Sequence, residues 1–504
     1  MFSGRADYGQ CCGLLPDKFT MISGGAGRVL FGLPDRIQEL MTDLLRRFRH
    51  RLLRRPVYAA LETALRDALR PVANRALDLA RGGTADSGFH PPDRELRRLH
   101  GTSRDPVWRR ASRRELRWMA GQPPRPDPDA AAQLAWRIAF LLEDIPRAGG
   151  IISIALLAED LRRMDHSVLA AVRRPRRLDP ELSRRIEAVS CSDDAALVRN
   201  LLAWKPHLMV ATFWPTVYLA ARCYRAAGGT VFPVYYAQDY EPDFYPTDPP
   251  WFREAVADTY RAVSWCFCKT PWIAAKIRAA GGRVSLVPPA LDLNVFHPPA
   301  APPDDPPLLL AMVRPSSPRR GWTVLREAWT RVYQRAGSRV RFAVYGCTAD
   351  DWRRLSPPFP AQVLGVLDAA GVAAACRRAW IFVEPSDFHG FGRTAAEAMA
   401  CGVPCVLTDS GGVRLFAKHE LNALLSPPGD AEALAEHILR LVEHPEYRNR
   451  LAAACRTAVA WMDRRASARA TEALFRDLLF GRPPRSAYGY PPDAMREAEI
   501  CDTE

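Results

Sequence analysis

Glu384-Pro385-Ser386-Asp387-Phe388-His389-Gly390-Phe391-Gly392-Arg393-Thr394-Ala395-Ala396-Glu397-Ala398-Met399-Ala400-Cys401-Gly402-Val403-Pro404 is the stretch on which the reading of this chain turns. The apolar run just before it, Trp380–Val383, is short and bounded, which suits a buried strand ending near Glu384. Gly390 and Gly392 make a loop whose backbone can approach a ligand closely. A helix is expected from about Arg393-Thr394, and its free N–H groups and positive dipole end favour an anion. Glu397, one turn into that helix, can accept from paired hydroxyls such as those of a ribose. Taken alone, a Gly-Phe-Gly loop before a helix is also what a tight strand-to-helix turn that binds nothing looks like.

Working outward, the same strand-then-helix texture recurs. Trp136–Leu142, Ser167–Val172, His207–Phe213 and Thr230–Tyr236 read as strands, and Ile151–Arg163 as a helix with Ile154, Leu157 and Leu161 on one face. After a proline-dense joint, Leu308–Val313, Val340–Tyr345, Trp380–Val383 and Val403–Leu407 repeat the pattern. Strands alternating with helices imply an α/β class with parallel sheets covered on both faces. The expected organisation is an Arg/Pro-rich, partly helical extension and linker over 1–130, an α/β domain over 131–297, the joint over 298–307, a second α/β domain over 308–465, and a C-terminal helix with a polar tail over 466–504. The last part, 431–480, is strongly helical in pattern, and the tail from 481 reads as poorly ordered.

The totals bound the classes. The 504 residues exceed one ordinary core and carry a formal net charge of +14, almost all of it arginine. Lysine is confined to Lys18, Lys205, Lys269, Lys276 and Lys418. That balance suits anionic partners such as nucleic acid, acidic lipid or diphosphates without choosing among them. No nucleic-acid motif is found, so none is expected as a partner. The 12 cysteines are scattered without zinc-site spacing and read as free thiols. Asp127-Pro128-Asp129 resembles an acidic pair for a metal but lies in the linker. The N-terminal residues lack the order of a secretory signal, so the expected location is cytoplasmic. Residues 34–80 contain apolar positions at helical spacing (Ile37, Leu40, Met41, Leu44, Leu45, Phe48) amid arginines. They offer a peripheral contact with an anionic inner membrane face, although packing on the enzyme or a second copy is the commoner use of such a helix.

With these residues in place, the 384–404 stretch resembles the donor-site signature of glycosyltransferase family 4, retaining enzymes of the GT-B fold. That signature has an acidic residue before Gly-Phe-Gly and a glutamate eight positions later. Glu397 fills the second position; His389 stands in the first, a departure. The resemblance implies two Rossmann-like domains facing a cleft, and it spans about 134–465. It implies donor contacts from Gly150 in the first glycine loop, from Arg314 and Arg320 at the start of the second domain, from Gly365 and Val366 at a turn facing the base, and from Gly390, Phe391, Gly392, Arg393, Thr394 and Glu397. Ser410-Gly411-Gly412-Val413 resembles a later glycine pair near the donor. Arginine suits the diphosphate because it stays charged and binds in a fork.

Tyr236–Pro246 is similar to a loop in bacterial dTDP-rhamnose-dependent rhamnosyltransferases. Asp239 and Glu241 follow a strand there and are candidates to orient an acceptor hydroxyl; a polar loop with aromatic anchors is the equal alternative. The implied reaction moves a sugar from a nucleoside diphosphate to a hydroxyl of a glycan or lipid-linked acceptor, with retention and with His389 and Asp239 as the catalytic candidates. No cofactor and no divalent metal are required by this reading. The rivals are a nucleotide-sugar epimerase or phosphorylase on the same fold, and a degenerate transferase fold that binds membranes or polyanions.

Overall fold

The computed structural model of the chain describes residues 116–121, 124, 129, 132, 133 and 135–494, apart from 174, 177, 192, 249, 302–305 and 493. The membrane-contact expectation for 34–80 lies outside these residues, as do most of the linker and Asp127. All described residues belong to one compact unit, 88–504.

Two sheets organise that unit. The first contains β1 (Arg137–Leu142), β2 (Ser167–Val172), β3 (Ala188–Ser190), β4 (Leu208–Ala211), β5 (Phe232–Tyr236), β6 (Trp265–Cys268) and β7 (Val284–Leu286) in the order β3-β2-β1-β4-β5-β6-β7. The second contains β8 (Leu308–Met312), β9 (Arg341–Tyr345), β10 (Gln362–Val363), β11 (Ile381–Glu384), β12 (Cys405–Thr408) and β13 (Ala423–Ser426) in the order β10-β9-β8-β11-β12-β13. The pairings are parallel; Ile138, for example, is in register with Val168 on one side and Leu208 on the other. The expected strands therefore stand within a residue or two of where the apolar runs put them. They read as continuous apolar runs because helices cover both faces: β4, β5, β8 and β11 are buried at every position.

The strand order decides where ligands can bind. In each sheet the order reverses beside the first strand, between β1 and β4 and between β8 and β11. The loops leaving such neighbours diverge and open a crevice at their carboxyl ends. In the second sheet these are the loops after β8 (Arg314–Arg320) and after β11 (Pro385–Gly392).

The chain crosses between the domains twice. Helix Arg464–Leu479 follows the second domain yet packs into the first: Ala468, Leu474, Phe475 and Leu478 share a core with Ile154, Leu157 and Leu161. Arg464 fastens the return. Its guanidinium reaches Asp160 and Glu159 at 2.6 Å each and Asp292 at 2.9 Å, from a nearly buried position.

Two expectations are corrected. The tail from 481 is anchored for its first ten residues: Leu286 N–H donates to the Ser486 carbonyl at 2.8 Å, Tyr488 is buried, and the Tyr490 hydroxyl donates to the Lys269 carbonyl. Its prolines and glycines suppress helical periodicity without preventing extended edge pairing. The end of the linker is also folded. Residues 116–121 form a helical turn that buries Leu116 and Met119 against the first domain and sets Trp118 on Tyr224.

Arg464→Ala leaves the buried Asp160 with only the half-exposed Arg163 at 2.7 Å, a loss of at most about 3–5 kcal/mol, the figure for a buried pair broken on one side. Urea unfolding followed by circular dichroism is expected to show that loss with the secondary structure of the folded baseline unchanged.

Candidate active site

The loop after β11 is built around glycine. A Cβ on Gly390 would stand 2.7 Å from the Asp239 carboxyl carbon and 2.7 Å from the Gln238 carbonyl oxygen, so only glycine lets this loop meet the loop after β5. Gly392 has φ +84° and caps helix Arg393–Ala400, with no side chain on its first N–H groups. Across from it, helix Gly149–Arg163 also starts without a side-chain cap, at Ala148. Gly149 lies against Arg393 and Gly150 against Gln238. Two open helix N-termini thus come from the two domains to one place, each favouring an anion.

Charged side chains fill the space between. Arg393 spans the cleft: one end of its guanidinium donates to Ser153 Oγ (2.7 Å) and the Ala290 carbonyl (3.0 Å) of the first domain, and the other lies 3.4 Å from Glu397. Lys269, at the end of β6, donates to the same Ser153 Oγ (3.0 Å) and to Gln238 Oε1 (2.7 Å). Arg314 donates to the Arg147 carbonyl at 3.2 Å, again across the domains. Arg319 lies between the Phe244 and Phe388 rings, 5.0 Å from each, and 3.9 Å from Asp239. Arg320 donates to Glu384 at 2.9 Å. Thr270 Oγ1 donates to the Gly390 carbonyl at 2.8 Å, closing the contact between the domains.

Burial sets the protonation of these groups. It pushes Glu397 up to about 7 against the pull of Arg393. It lowers Lys269 to about 7, helped by Arg393 and opposed by Asp239. Arg314 and Arg319 fall to about 10 through burial and the neighbouring Arg320, and remain charged at neutral pH. Asp239 is raised by burial, with Arg319 the chief opposing charge. Burial opposes charge on Glu384 too, but it is held below the ordinary carboxylate range by His389 where that ring is protonated, and by Arg320, Thr394 and Ser386. His389 is lowered to about 4 by burial, against Glu384.

The expected site residues therefore divide. His389, Asp239, Gly150, Arg314, Arg320, Gly390, Gly392, Arg393, Thr394 and Glu397 converge on the cleft, and Phe391 packs behind them on Phe416. Gly365, with φ +78°, and Val366, 62% exposed, follow β10, the outer strand of the sheet, and the Gly365 carbonyl accepts from the N–H of Gly346, which lies against the Val313 carbonyl just before Arg314. The Gly411-Gly412 pair supports the site from behind, where Gly412 N–H donates to the His389 carbonyl at 2.7 Å. For Glu241 the second of the two readings, a polar loop with aromatic anchors, is the one found. Its carboxylate accepts from the Tyr235 hydroxyl at 2.6 Å and the Trp214 N–H at 2.7 Å, fully buried, so it anchors the aromatic loop and faces no acceptor.

Three participants went unassigned in the sequence: Ser153, Lys269 and Glu384. Lys269 had a signal, being one of five lysines and following a strand. Glu384 was visible as a carboxylate ending a buried strand. Ser153, inside an apolar helix, had none. A surface cavity of about 630 Å³, lined by Leu116, Arg117, Glu254, Asp258, Arg261 and Gly281, borders the C-terminal ends of helices Pro250–Ala262 and Pro271–Ala279. That is the opposite edge of the sheet from the cleft, and it lacks the convergent cations. Among the described residues no three His, Cys, Asp or Glu side chains are grouped to hold a metal, and no helix is long and apolar enough to cross a membrane.

Comparisons with known proteins agree with this geometry. Residues 306–444 match the family model described as glycosyl transferases group 1. The D-inositol 3-phosphate glycosyltransferase of Streptosporangium roseum is 28% identical over 196 residues, covering 35% of this chain and 45% of that protein. The phosphatidyl-myo-inositol mannosyltransferase of Mycobacterium leprae is 31% identical over 159 residues, 31% of this chain and 42% of that one. The chain thus spans somewhat under half the length of these curated relatives. Among solved structures, sucrose-phosphate synthase from Thermosynechococcus elongatus superposes with a TM-score of 0.59 at 20% identity, covering 69% of this chain and all of that one. Anabaena HepE in complex with UDP and glucose gives 0.57 at 18%, covering 68% and 99%. The fold is GT-B, and residues 306–444 match the group 1 glycosyl transferase model.

Proposed function

We propose that the chain transfers a glycosyl group from a nucleoside-diphosphate sugar to a hydroxyl of a glycan or lipid-linked acceptor. One observation carries this reading. Lys269, Arg314, Arg319, Arg320 and Arg393 line the cleft with Asp239, Glu384 and Glu397, so that full ionisation leaves an excess of two positive charges beside two open helix N-termini. A diphosphate ester supplies that charge in a form arginine forks can grip. HepE, a structural neighbour, is recorded with UDP-glucose, and dTDP-rhamnose is the candidate donor suggested by the loop at 236–246.

In the reaction the bond between the anomeric carbon and the diphosphate oxygen breaks and a bond to the acceptor oxygen forms. Charge grows on the leaving diphosphate, where Arg314, Arg320 and the start of helix Arg393–Ala400 stabilise it. The leaving phosphate oxygen takes the acceptor proton from the same face, which gives retention without a protein nucleophile. Asp239 orients the acceptor hydroxyl, and Glu397 accepts from the ribose hydroxyls. The cations do the neutralising, so the scheme invokes no divalent metal. Contact between the domains excludes water and limits hydrolysis.

Thermal unfolding against UDP, GDP, dTDP and ADP is expected to show stabilisation by one base. At a hundredfold excess over Kd it amounts to about 2.7 kcal/mol, and Glu397→Ala loses it. No shift with any nucleotide overturns the proposal. Because Glu397 without ligand sits near 7 and takes both hydroxyls best when ionised, while Lys269, also near 7, holds the diphosphate best when charged, the two pull in opposite directions and nucleotide affinity of the wild type is expected to change little with pH around 7. In Glu397→Gln the Lys269 component stands alone, so calorimetry is expected to show affinity falling as pH rises above about 7, by up to about tenfold per pH unit. Asp239→Asn is expected to lower transfer by about 10²–10⁴-fold while the nucleotide-induced shift persists.

A further inference from the structure

His389 occupies the place where the resemblance leads one to expect a carboxylate. Its side chain is 1% exposed, and neither ring nitrogen has a hydrogen-bond partner. The backbone around it is fixed. Gly412 N–H donates to its carbonyl, and a Cβ on Gly411 would fall 2.4 Å from that same oxygen. The carboxylate missing at 389 is found five residues earlier. Glu384 Oε1 lies 3.6 Å from His389 Nδ1 and accepts from Arg320 at 2.9 Å and Ser386 at 3.2 Å, while its Oε2 accepts from Thr394. One buried carboxylate thus joins the loop after β8, the loop after β11 and the first turn of helix Arg393–Ala400.

We propose that Glu384 and His389 work as a dyad, with Glu384 accepting the Nδ1 proton of a neutral imidazole so that Nε2 is left as an uncharged acceptor for a hydroxyl of the donor sugar. The proposal rests on the nucleotide-sugar reading above and names how that site meets the sugar. A neutral imidazole has one donor nitrogen and one acceptor. A carboxylate on the Nδ1 side puts the donor there and fixes the tautomer, as carboxylates do for metal-bound histidines. The imidazolium is disfavoured because the ring is buried and faces Arg319 and Arg320, with Glu384 the only one of its electrostatic partners that favours the charge. Asp239, nearby at Gly390, is itself raised by burial. The 3.6 Å separation is longer than a hydrogen bond, yet close enough for the buried carboxylate charge to favour the proton on Nδ1 before any ligand is present, and catalytic contacts of this kind shorten when ligand binds. Glu384 is therefore a positioning residue, setting His389, Arg320 and Thr394 together, and His389 is the group that touches the sugar.

The test is nitrogen-detected NMR of the full chain labelled with ¹⁵N-histidine, with the His389 signals assigned by their loss in His389→Gln. Without ligand at pH 7, the wild type is expected to hold the Nδ1–H tautomer in several-fold excess, the bias given by a carboxylate charge 3.6 Å from that nitrogen. Glu384→Gln keeps the shape of the side chain but offers both a donor and an acceptor, so it is expected to show mixed tautomers; Glu384→Leu is expected to lose the bias. An Nε2–H tautomer or an imidazolium in the wild type overturns the dyad, as does an unchanged tautomer in Glu384→Gln. These spectra need no nucleotide, so they fail or succeed apart from the proposed function. The sugar contact is read by adding UDP and UDP-glucose, then dTDP and dTDP-rhamnose. A shift at Nε2 with a nucleotide sugar and none with its parent nucleotide supports the contact. Equal shifts with both remove it, and stabilisation by none of the four counts against the nucleotide-sugar reading itself.

Discussion

Like charges gathered in a buried place repel one another, and everything about this cleft is arranged around that repulsion. Five cationic side chains stand where water is largely excluded, and each is given a counterweight: Glu384 for Arg320, Glu397 for Arg393, Asp239 for Arg319, the Arg147 carbonyl for Arg314, and Ser153 with Gln238 for Lys269. None of these counterweights is a complete match. Three are carboxylates, and the others are neutral oxygens that accept a hydrogen bond without cancelling the charge. An isolated buried charge costs several kcal/mol, so a cleft built this way is stable only because the groups are shared, and it remains ready for an anion.

Sharing extends across the domains, and this links charge to closure. Ser153 Oγ takes bonds from Lys269 of its own domain and from Arg393 of the other. Thr270 holds the Gly390 carbonyl, and Phe388 stacks on Phe244 and Trp272 across the same seam. A diphosphate bound here as proposed would compete for Arg393 and Arg314 and therefore for the bonds that hold the domains together. The two chain crossings, near Leu291 and Asp463, pair with one another through the Leu291 N–H and carbonyl. They form a short double strap about which such a rearrangement can turn, while Arg464 secures the far side of it.

The fold was legible in the sequence because its signal is local. Apolar runs of four to six residues with helical stretches between them specify parallel strands whatever lies elsewhere, and β1, β2, β5, β8, β9, β11 and β12 stand where those runs do. The glycine loop and Glu397 were legible for the same reason, since loop and helix start are neighbours in the chain. What stayed hidden depends on pairs distant in sequence. Ser153 meets Arg393 from 240 residues away, and Lys269 meets Ser153 from 116. Glu241 looked like a site residue because it follows a strand; only its enclosure by Tyr235, Trp214 and Tyr260 shows that it serves the loop. The tail beyond 481 failed differently. Proline and glycine argue against a helix, and they say nothing about an extended segment that pairs with a sheet edge.

The two groups that titrate near neutrality complete the account of the charge. Lys269 is lowered to about 7 and Glu397 raised to about 7, one on each side of Arg393. Burial moves both toward their neutral forms, which means that the ligand-free cleft sheds part of its charge by partial loss of a proton at one group and partial gain at the other. An arriving dianion changes the balance at each. It favours the ammonium at Lys269, drawing a proton in, whereas the hydroxyls that accompany it favour the carboxylate at Glu397, sending one out. Exchange between these two sites lets the cleft meet the ligand's charge with little net proton uptake. The excess of two positive charges is the same in both states, but without ligand it is carried by fewer charged groups, and the additional ammonium and carboxylate appear when there is an anion and its hydroxyls to receive them.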